Sequence, residues 1–319
     1  MQTITAQNFK EKPNNFCVTV LGNFDGVHLA HTKLILSAKK MAEEKGYKLC
    51  VYTFSRHPLN YREGFPGLIT SPCEKEELIR SLGADILFLE SFEDVKDLSC
   101  EEFCGKVLID KLNTKIAFCG KNFRFGKNRS GDAETLKKEM SVLGGNAFAI
   151  DDVKSEDGNV ISSTIVRKHI LDGDTEKAKN LLGRPYSLTA EVVHGRHLAT
   201  HLGAPTINQT FPQGKIVPKN GVYAVCLIFD GKKHFGVANV GVKPTVTSNE
   251  ACCPILCETH ILDYKGDLYG KTIKTEFYRK LRDEKKFASI KELSDAIKND
   301  VLNAVSYFKE REEKNFENR

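Results

Sequence analysis

The chain has 319 residues, which is long enough for two domains that each bury a core of their own. Apolar residues make up 40% of it, and 47 basic against 42 acidic residues leave a net charge of +5, which suits anionic small molecules but argues against nucleic acid as a partner. No apolar run approaches the ~20 residues of a membrane span, and no signal peptide opens the chain. We therefore expect a cytoplasmic protein without a membrane partner, whose ten cysteines are reduced thiols.

Apolar strand patterns alternate with helical patterns in the first half of the chain. The strand patterns are FCVTVLG, KLCVYTF, ADILFLE, TKIAFCG and NAFAID, and the helical patterns between them are HTKLILSAKKMAEEKG, EKEELIRSL, CEEFCGKVLIDKL and AETLKKEMSVL. This alternation predicts βαβ units, which build an α/β domain around a parallel sheet. Two shorter helical patterns, SSTIVRKHILDGD and EKAKNLLG, complete the half.

The pattern changes near Leu182 to Gly183, so we predict domains at residues 1–182 and 183–319. Short β-branched and aromatic segments follow: YSLTAEVVHG, NGVYAVCLIFDG, KKHFGVANVG, PILCETHILDY and KTIKTEFYRKL. DGKK between two apolar runs is a hairpin signal. The second half therefore predicts a mainly antiparallel sheet or β-barrel, finished by a charged helix from Ser289 to about Glu313.

The segment GNFDGVHLAH, residues 22–31, joins the first predicted strand to its helix. Ligands of open parallel sheets bind beyond the carboxyl ends of the strands, and the free N–H groups of a helix start attract phosphate. Gly22 and Gly26 permit tight turns there. His28 and His31, three residues apart, face one side of the helix and can donate hydrogen bonds to a phosphate. The alternative is a pair of surface histidines beside a helix cap.

This segment resembles the H-x-G-H signature of the nucleotidyltransferase superfamily, in the form that bacterial FAD synthetases carry, with Ala30 at the usual glycine. ISSTIVR, residues 161–167, resembles the second motif of that superfamily, although a Ser-Ser-Thr cluster is by itself typical of a helix N-cap. The resemblance implies an ATP site formed by both motifs. Its residues are Gly22, Phe24, Asp25, Gly26, His28, His31, Ser163, Thr164 and Arg167.

Two more segments are similar to FAD synthetases. FCGKNFRFGKNRSGD matches their flavin-contacting stretch, which implies that Asn122 and Arg124 bind flavin. VYTFSRHP matches a further family segment, which implies that His57 could be within reach of the site, although by itself it is an ordinary loop histidine before a proline. The implied reaction moves AMP from ATP to the phosphate of FMN and releases pyrophosphate. Because a phosphate nucleophile is already anionic at neutral pH, no general base is needed, and His28 and His31 would serve by stabilising phosphate charge.

The second half contains a candidate metal and base constellation. Thr206 and Asn208, two apart in LGAPTINQ, point to the same face of an extended chain. A hydroxyl and an amide oxygen are hard ligands that suit Mg²⁺. Glu258, in the predicted strand CETHILDY, is a carboxylate that could act as a base. Taken singly, they are more typical of a turn threonine, a turn asparagine and a surface glutamate.

A second resemblance covers nearly all of residues 183–308. LLGRPYSLTAEVVHG, LGAPTIN, NGVYAV, GVANVGVKPT, ETHILDY, DLYG and LRDEKKF are together similar to a riboflavin kinase domain, in that domain's order. The resemblance implies that Thr206 and Asn208 bind Mg²⁺ and that Glu258 deprotonates the flavin 5′-hydroxyl, which attacks the γ-phosphate of ATP. It places Arg282 near the flavin. Ala204 stands where phenylalanine is usual.

Three clusters raise the possibility of a structural zinc site. They are Cys100 with Cys104, Cys252 and Cys253 with Cys257, and His194 with His197 and His201. A structural zinc site requires four ligands, typically in paired short-spaced motifs, and no cluster supplies them. We therefore expect ordinary core and loop residues.

The whole chain resembles the bacterial bifunctional enzymes that phosphorylate riboflavin to FMN and adenylate FMN to FAD. Such an enzyme uses ATP, Mg²⁺ and flavins as its small-molecule substrates and cofactors. Two alternatives belong to other classes: a different H-x-G-H nucleotidyltransferase fused to a β-domain that only binds, and a flavin-binding relative impaired by the changes at Ala30 and Ala204. KNFRFG together with PTIN speaks against the first, since both segments point to flavin.

Overall fold

The computed structural model describes residues 1–5, 7–61, 63–194, 206–242 and 255–317. By their internal contacts they divide into two compact units, Met1–Ser163 and Thr164–Arg319. The division lies before the change of pattern at Leu182 to Gly183, because the two short helices that precede Gly183 group with the second unit. The boundary drawn from the sequence stays a prediction.

The first unit is built on a six-stranded sheet in which every pairing is parallel. Its strands are β1 (Gln2–Thr5), β2 (Cys17–Leu21), β3 (Lys48–Phe54), β4 (Ile86–Glu90), β5 (Thr114–Gly120) and β6 (Asn146–Ile150). Their order across the sheet is β1-β4-β3-β2-β5-β6. The strands β3 and β4 are added in turn on one side of β2, and β5 and β6 are added on its other side. The carboxyl end of β2 is therefore the switch point where such sheets bind ligands.

Helices connect these strands. They are α1 (Leu29–Lys45), α2 (Pro72–Ser81), α3 (Phe92–Val95), α4 (Cys100–Glu102), which continues as a π-helix over Phe103–Lys111, and α5 (Ala133–Val142); short 3₁₀ turns cover Pro58–Tyr61 and Lys127–Arg129. Local signals set their ends. Ser71 caps α2 in a reciprocal capping box with Glu74, and Gly46 ends α1 in the left-handed conformation that glycine adopts without steric cost.

Two apolar clusters cover the two faces of the parallel sheet. Val18 and Val20 of β2 pack with Leu34 and Ile35 of α1, while Leu21 belongs to the cluster on the opposite face. Adjacent strand residues point to opposite faces, and every residue of β2 is buried, so this strand is covered on both sides. This double burial holds β2 rigid, and the loop that follows it starts from a fixed point.

The second unit contains a closed antiparallel barrel of six strands. They are β7 (Tyr186–Val193), β8 (Thr206–Thr210), β9 (Gly221–Phe229), β10 (Lys232–Val242), β11 (Ile255–Ile261) and β12 (Thr272–Arg282), ordered β10-β11-β8-β7-β12-β9 around the barrel. The predicted hairpin at DGKK is confirmed: Phe229 pairs with Lys232, and Asp230 and Gly231 both have positive φ, as a two-residue hairpin turn requires. The predicted fold class, a parallel α/β domain followed by an antiparallel barrel, is confirmed.

Within the described ranges, three helices accompany the barrel. They are α6 (Ser163–Asp172), of which Ser163 still belongs to the first unit, α7 (Thr175–Leu182) and the terminal α8 (Ile290–Glu317). Tyr307 and Phe308 of α8 are buried in an apolar cluster with Val222 and Ala224 of β9. The terminal helix was predicted from Ser289 to about Glu313, which is one residue early at its start and four short at its end.

Candidate active sites

The loop after β2 has an unusual backbone. Gly26 lies at φ +82°, and Phe24 and Val27 also have positive φ values, of 50° and 36°. A β-branched residue in this region is strained, and such strain persists only where the surroundings enforce it. Packing also requires the two glycines: a Cβ at Gly22 would lie 2.9 Å from the ring of Phe24, and one at Gly26 would lie 3.0 Å from Ile69. Packing therefore disfavours a larger residue at Gly22 and at Gly26.

His28 and His31 lie side by side at the start of α1. Their rings stack with centroids 3.7 Å apart and planes 15° from parallel, and Phe24 meets His31 edge-on at 5.1 Å. His28 is the N-cap, because its Nδ1 accepts the backbone N–H of His31 at 3.4 Å. An imidazole whose Nδ1 accepts carries its proton on Nε2. The helix thus sets the tautomer of His28, and its donor is Nε2–H.

His31 is held neutral. Burial lowers its pKa well below the usual range, and the neighbouring His28 and Lys75 lower it further. Its Nδ1 is enclosed and has no hydrogen-bond partner among the described residues. A neutral imidazole can still donate one hydrogen bond, so the pair can serve phosphate oxygens as donors.

Asp25 has a structural task that its place in the motif did not suggest. Its buried carboxylate accepts the backbone N–H groups of Ile69 at 3.0 Å and Thr70 at 3.2 Å, while the Thr70 hydroxyl accepts the N–H of Gly26 at 3.1 Å. Ser163 Oγ donates to the backbone carbonyl of Asp25 at 2.8 Å. These contacts tie the loop after β2 to the segment that begins α2.

The second predicted ATP motif is divided by the unit boundary. Ser163 contacts the loop after β2, whereas Thr164 and Arg167 belong to the second unit. Arg167 is buried. The roles of these three residues in holding ATP stay predictions.

The predicted flavin contacts follow β5 at the same carboxyl edge of the sheet. Asn122 donates to both carboxylate oxygens of Asp152, at 3.0 and 3.2 Å, and Arg124 lies 3.3 Å from a carboxylate oxygen of Asp132. The side chains of Asn122 and Arg124 are both exposed. His57, beyond β3, is buried, stacks on Phe65 and accepts the N–H of Leu59 at 3.1 Å.

The barrel brings the second predicted constellation together. Asn208 of β8 is directly opposite Glu258 of β11, and Thr206 Oγ1 donates to Oε1 of Glu258 at 2.8 Å. On its other side, Glu258 is in register with Asn239 of β10. Residues directly opposite one another in antiparallel strands point to the same face. A hydroxyl, two amides and a carboxylate therefore form one polar row, in which sequence reasoning had missed Asn239.

This polar row lies on the outer face of the barrel, because the alternate residues point inward. Gln209 is fully buried: its Nε2 donates to the carbonyls of Ala190 at 2.9 Å and Ile273 at 2.8 Å, and its Oε1 accepts from Thr275 at 2.6 Å. An unsatisfied buried polar group costs about 1–3 kcal/mol, so this network strongly favours one register. It fixes β8 against β7 and β12 and thereby aims Asn208 outward.

The comparisons with known proteins match both halves. The model of the FAD synthetase family matches residues 10–165, and that of the riboflavin kinase family matches residues 182–308. The bifunctional riboflavin kinase/FMN adenylyltransferase of Bacillus subtilis is 37% identical over 295 residues, which cover 91% of this chain and 92% of that protein. The chain belongs to this bifunctional family. It phosphorylates riboflavin to FMN with ATP and adenylates FMN to FAD with release of pyrophosphate.

Other relatives agree in extent. The family member of Pseudomonas fluorescens is 34% identical, covering 95% of this chain and 97% of its own length. A crystal structure described as a macrolide-efflux protein from Streptococcus pneumoniae is 31% identical, with a TM-score of 0.84, and covers 94% of this chain and 97% of its own. That description applies to the pneumococcal protein alone, since both family models here describe flavin enzymes. Among the helices that the structure describes, none is long and apolar enough to cross a bilayer.

Family membership does not favour either alternative function, because the relatives that match over more than nine tenths of their length are named for both activities.

The structure describes only some of the residues in the three clusters that could have suggested a zinc site. Cys252, Cys253, His197, His201 and the changed position Ala204 lie outside the described residues. Within the described ranges, no group of three or more His, Cys, Asp or Glu side chains is placed to hold a metal ion.

The cysteines of the described residues are unpaired thiols. Burial raises the pKa of both Cys104 and Cys257 to about 12, so these thiols stay protonated and pack as small apolar groups. The Sγ atom of Cys100 lies 3.6 Å from the Oγ atom of Ser130, which is a hydrogen-bond distance for sulfur.

Arg282, which the resemblance placed near the flavin, has a charged partner within the second unit. It forms a two-point ion pair with the buried carboxylate of Asp300 on α8, at 2.9 and 2.8 Å, and its guanidinium lies 5.5 Å from the ring centre of Phe287. The pair ties β12 to the terminal helix. Its role toward the flavin stays a prediction.

Proposed function

We propose that adenylyl transfer occurs at the carboxyl end of β2 in the first unit, with His28 and His31 as the groups that stabilise phosphate charge. The observation that carries the proposal is the stacked pair at the N-terminus of α1, where the free N–H groups and the helix dipole already favour an anion. ATP would be held there by the motif residues. They are Gly22, Phe24, Asp25, Gly26, Ser163, Thr164 and Arg167.

In this step the phosphate of FMN attacks the α-phosphorus of ATP, and the bond to the pyrophosphate oxygen breaks. No proton must be removed from the nucleophile. The Nε2–H of His28 donates to a phosphate oxygen whose negative charge grows in the transition state, and such a donor typically contributes 10²–10³ in rate, on the order of the value measured for oxyanion donors. Asn122 and Arg124, at the carboxyl end of the neighbouring strand, would contact FMN.

We place riboflavin phosphorylation on the polar row of the barrel. The fit to Mg²⁺ rests on the donor set: the hydroxyl of Thr206, the amide oxygen of Asn208 and the carboxylate of Glu258 are hard oxygen ligands on one face. Thr206 and Asn208 would hold the ion, which when bound supplies positive charge to the phosphates of ATP. Arg282 would lie near the flavin.

Glu258 is the proposed general base. Its Oε1 accepts the Thr206 hydroxyl, so its orientation is set, and Oε2 is the oxygen that would take the proton of the riboflavin 5′-hydroxyl. As that proton leaves, the oxygen forms a bond to the γ-phosphorus and the bond to the ADP oxygen breaks. The resulting FMN carries the phosphate that the first unit uses as its nucleophile.

We further propose a cytoplasmic location, which the unpaired thiols of the described cysteines support. The test of the assignment as a whole is product analysis. The full chain is incubated with riboflavin and Mg-ATP, and riboflavin, FMN and FAD are separated by chromatography. Substitutions in the polar row must leave riboflavin unconverted, whereas substitutions of His28 must let FMN accumulate. If both kinds of substitution block the same step, the assignment of the two sites is wrong.

A further inference from the structure

We propose that Lys75 is a further cation of the adenylyl-transfer site, acting on the phosphates of ATP. The proposal rests on the site assigned above to His28 and His31, and it concerns a residue outside both sequence motifs. Lys75 lies in the second turn of α2, a helix that sequence reasoning had connected with no function.

Hydrogen bonds place the Lys75 ammonium at the ligand edge of the sheet. Its Nζ donates to the backbone carbonyl of Phe54 at 3.3 Å and to Oγ1 of Thr53 at 3.5 Å, both at the carboxyl end of β3. The Thr53 hydroxyl in turn donates to the carbonyl of Asn23, in the loop after β2, at 3.1 Å. The ammonium is thus two hydrogen bonds away from the phosphate-binding loop.

The same loop fixes the helix that carries Lys75. Asp25 holds the backbone of Ile69 and Thr70, and the next residue, Ser71, caps α2 in a capping box. The ammonium follows one turn later. Asp25 therefore has a positioning role: through these contacts it aligns α2 so that the side chain of Lys75 reaches the edge where His31 lies.

The surroundings leave the charge of this ammonium poorly compensated. Its two hydrogen-bond acceptors are neutral oxygens. Burial lowers the pKa of Lys75 to about 8, and the nearby carboxylate of Asp25 offsets only part of that effect. The group is still mainly protonated at pH 7. A partly enclosed cation at a helix-start phosphate site gains most from an anionic ligand, which a triphosphate supplies.

The chemistry of the reaction identifies what Lys75 would do. When the bond between the α-phosphorus and the bridging oxygen breaks, negative charge grows on the leaving pyrophosphate. An ammonium near His31 can neutralise that charge without transferring a proton, which is the role that preorganised cations have in phosphoryl and nucleotidyl transfer. His31 is kept neutral beside it, so Lys75 would supply a positive charge and His31 a hydrogen-bond donor.

Lys75→Met tests the proposal in the full-length chain. Methionine keeps the length and the helix propensity of lysine but removes the charge. With FMN and Mg-ATP supplied, we expect kcat/KM for ATP to fall by about 10²-fold or more, while the KM for FMN and the rate of riboflavin phosphorylation stay within threefold of wild type. Lys75→Arg keeps a charge at the edge and should recover part of the loss. Lys40→Met, which removes an 80% exposed lysine of α1, is the matched control and should change none of these values.

Three outcomes separate the possibilities. An unchanged kcat/KM for ATP in Lys75→Met overturns the proposal. Equal losses in Lys75→Met and Lys75→Arg, accompanied by a lower unfolding temperature in both, also overturn it, since they indicate that the lysine only fastens α2 to β3. His28→Ala is measured in parallel: if this variant also forms FAD at the normal rate, the proposed site itself is wrong, whereas a crippled His28→Ala beside a normal Lys75→Met rejects Lys75 alone.

Discussion

The hydroxyl of Thr206 donates a 2.8 Å hydrogen bond to Oε1 of Glu258, joining β8 to β11 on the outer face of the barrel. The two residues are 52 positions apart in the chain. One oxygen of the carboxylate is therefore oriented by a proposed metal ligand, and the other is the oxygen that we propose takes the proton. This relationship makes Glu258 the residue whose substitution most directly tests the kinase site.

Glu258→Gln should stop riboflavin phosphorylation while FAD formation from supplied FMN continues. The amide keeps the size of the side chain but cannot take the proton, and losing a general base costs roughly 10²–10⁴ in rate. The measurement is chromatographic separation of riboflavin, FMN and FAD. Glu191→Gln, at an exposed position of β7, removes the same charge from the barrel and should behave as wild type. Phosphorylation within about threefold of wild type would exclude Glu258 as the base.

Replacing His28 should slow FAD formation and leave riboflavin phosphorylation intact, which is the reverse of the effect expected for Glu258→Gln. His28→Ala removes both the imidazole and the N-cap of α1, whereas His28→Asn removes the imidazole but keeps a good capping residue. We expect both variants to form FAD about 10²–10³ times more slowly and to accumulate FMN from riboflavin. Thermal unfolding should separate them, with the alanine variant losing about 1 kcal/mol more stability. Restoration of FAD formation by asparagine would show that capping alone matters.

His31 should make the first unit sensitive to mild acid. Because burial lowers its pKa in the folded state, the unfolded chain binds a proton near pH 6.5 that the folded chain does not. Stability is therefore lost as the pH falls below about 6.5, and no such loss occurs above it. His31→Phe removes the titrating group and keeps an aromatic ring against His28. The fall in unfolding temperature between pH 7.5 and 5.5 should be smaller in this variant than in wild type, and an equal fall would contradict the prediction.

The second half of the chain should phosphorylate riboflavin in the absence of the first half. A fragment of residues 183–319 should convert riboflavin to FMN without making FAD, because all residues of the polar row belong to the barrel strands β8, β10 and β11. A fragment of residues 164–319 should unfold at a higher temperature, since it adds α7, whose Glu176 pairs with Arg279 of β12 at 2.9 and 3.0 Å. Product analysis and thermal unfolding check both points. A folded fragment that is inert with Mg-ATP would show that the barrel lacks kinase activity.

The buried side-chain amide of Gln209 should be important for the stability of the barrel. Gln209→Leu leaves the carbonyls of Ala190 and Ile273 and the hydroxyl of Thr275 without their partner in the barrel core. At about 1–3 kcal/mol for each unsatisfied group, we expect the free energy of unfolding to fall by more than about 2 kcal/mol in a denaturant titration. Gln213→Leu, at an exposed position after β8, is the control. Similar stabilities of the two variants would contradict a structural role for Gln209.

Local pattern accounts for what the sequence by itself determined. The mostly apolar run from Phe16 to Leu21 indicated a buried strand, and Asp230 with Gly231 indicated a two-residue hairpin, because burial periodicity and turn conformation depend on neighbours along the chain. The edge strand β1 was missed, since four mixed residues carry no clear period. The family motifs identified both activities because they group residues that lie close together in the sequence.

Only the tertiary structure decided which distant residues meet. Asp25 reaches Thr70 because β2 and the start of α2 converge at one edge of the sheet, and the same convergence brings the Lys75 ammonium to the carboxyl end of β3. Gln209 and Asn208 are neighbours in sequence, but the pleat of β8 sends one into the barrel and the other to the polar row. Such contacts depend on strand order and register, which are set by long-range packing and hydrogen bonding rather than by spacing along the chain.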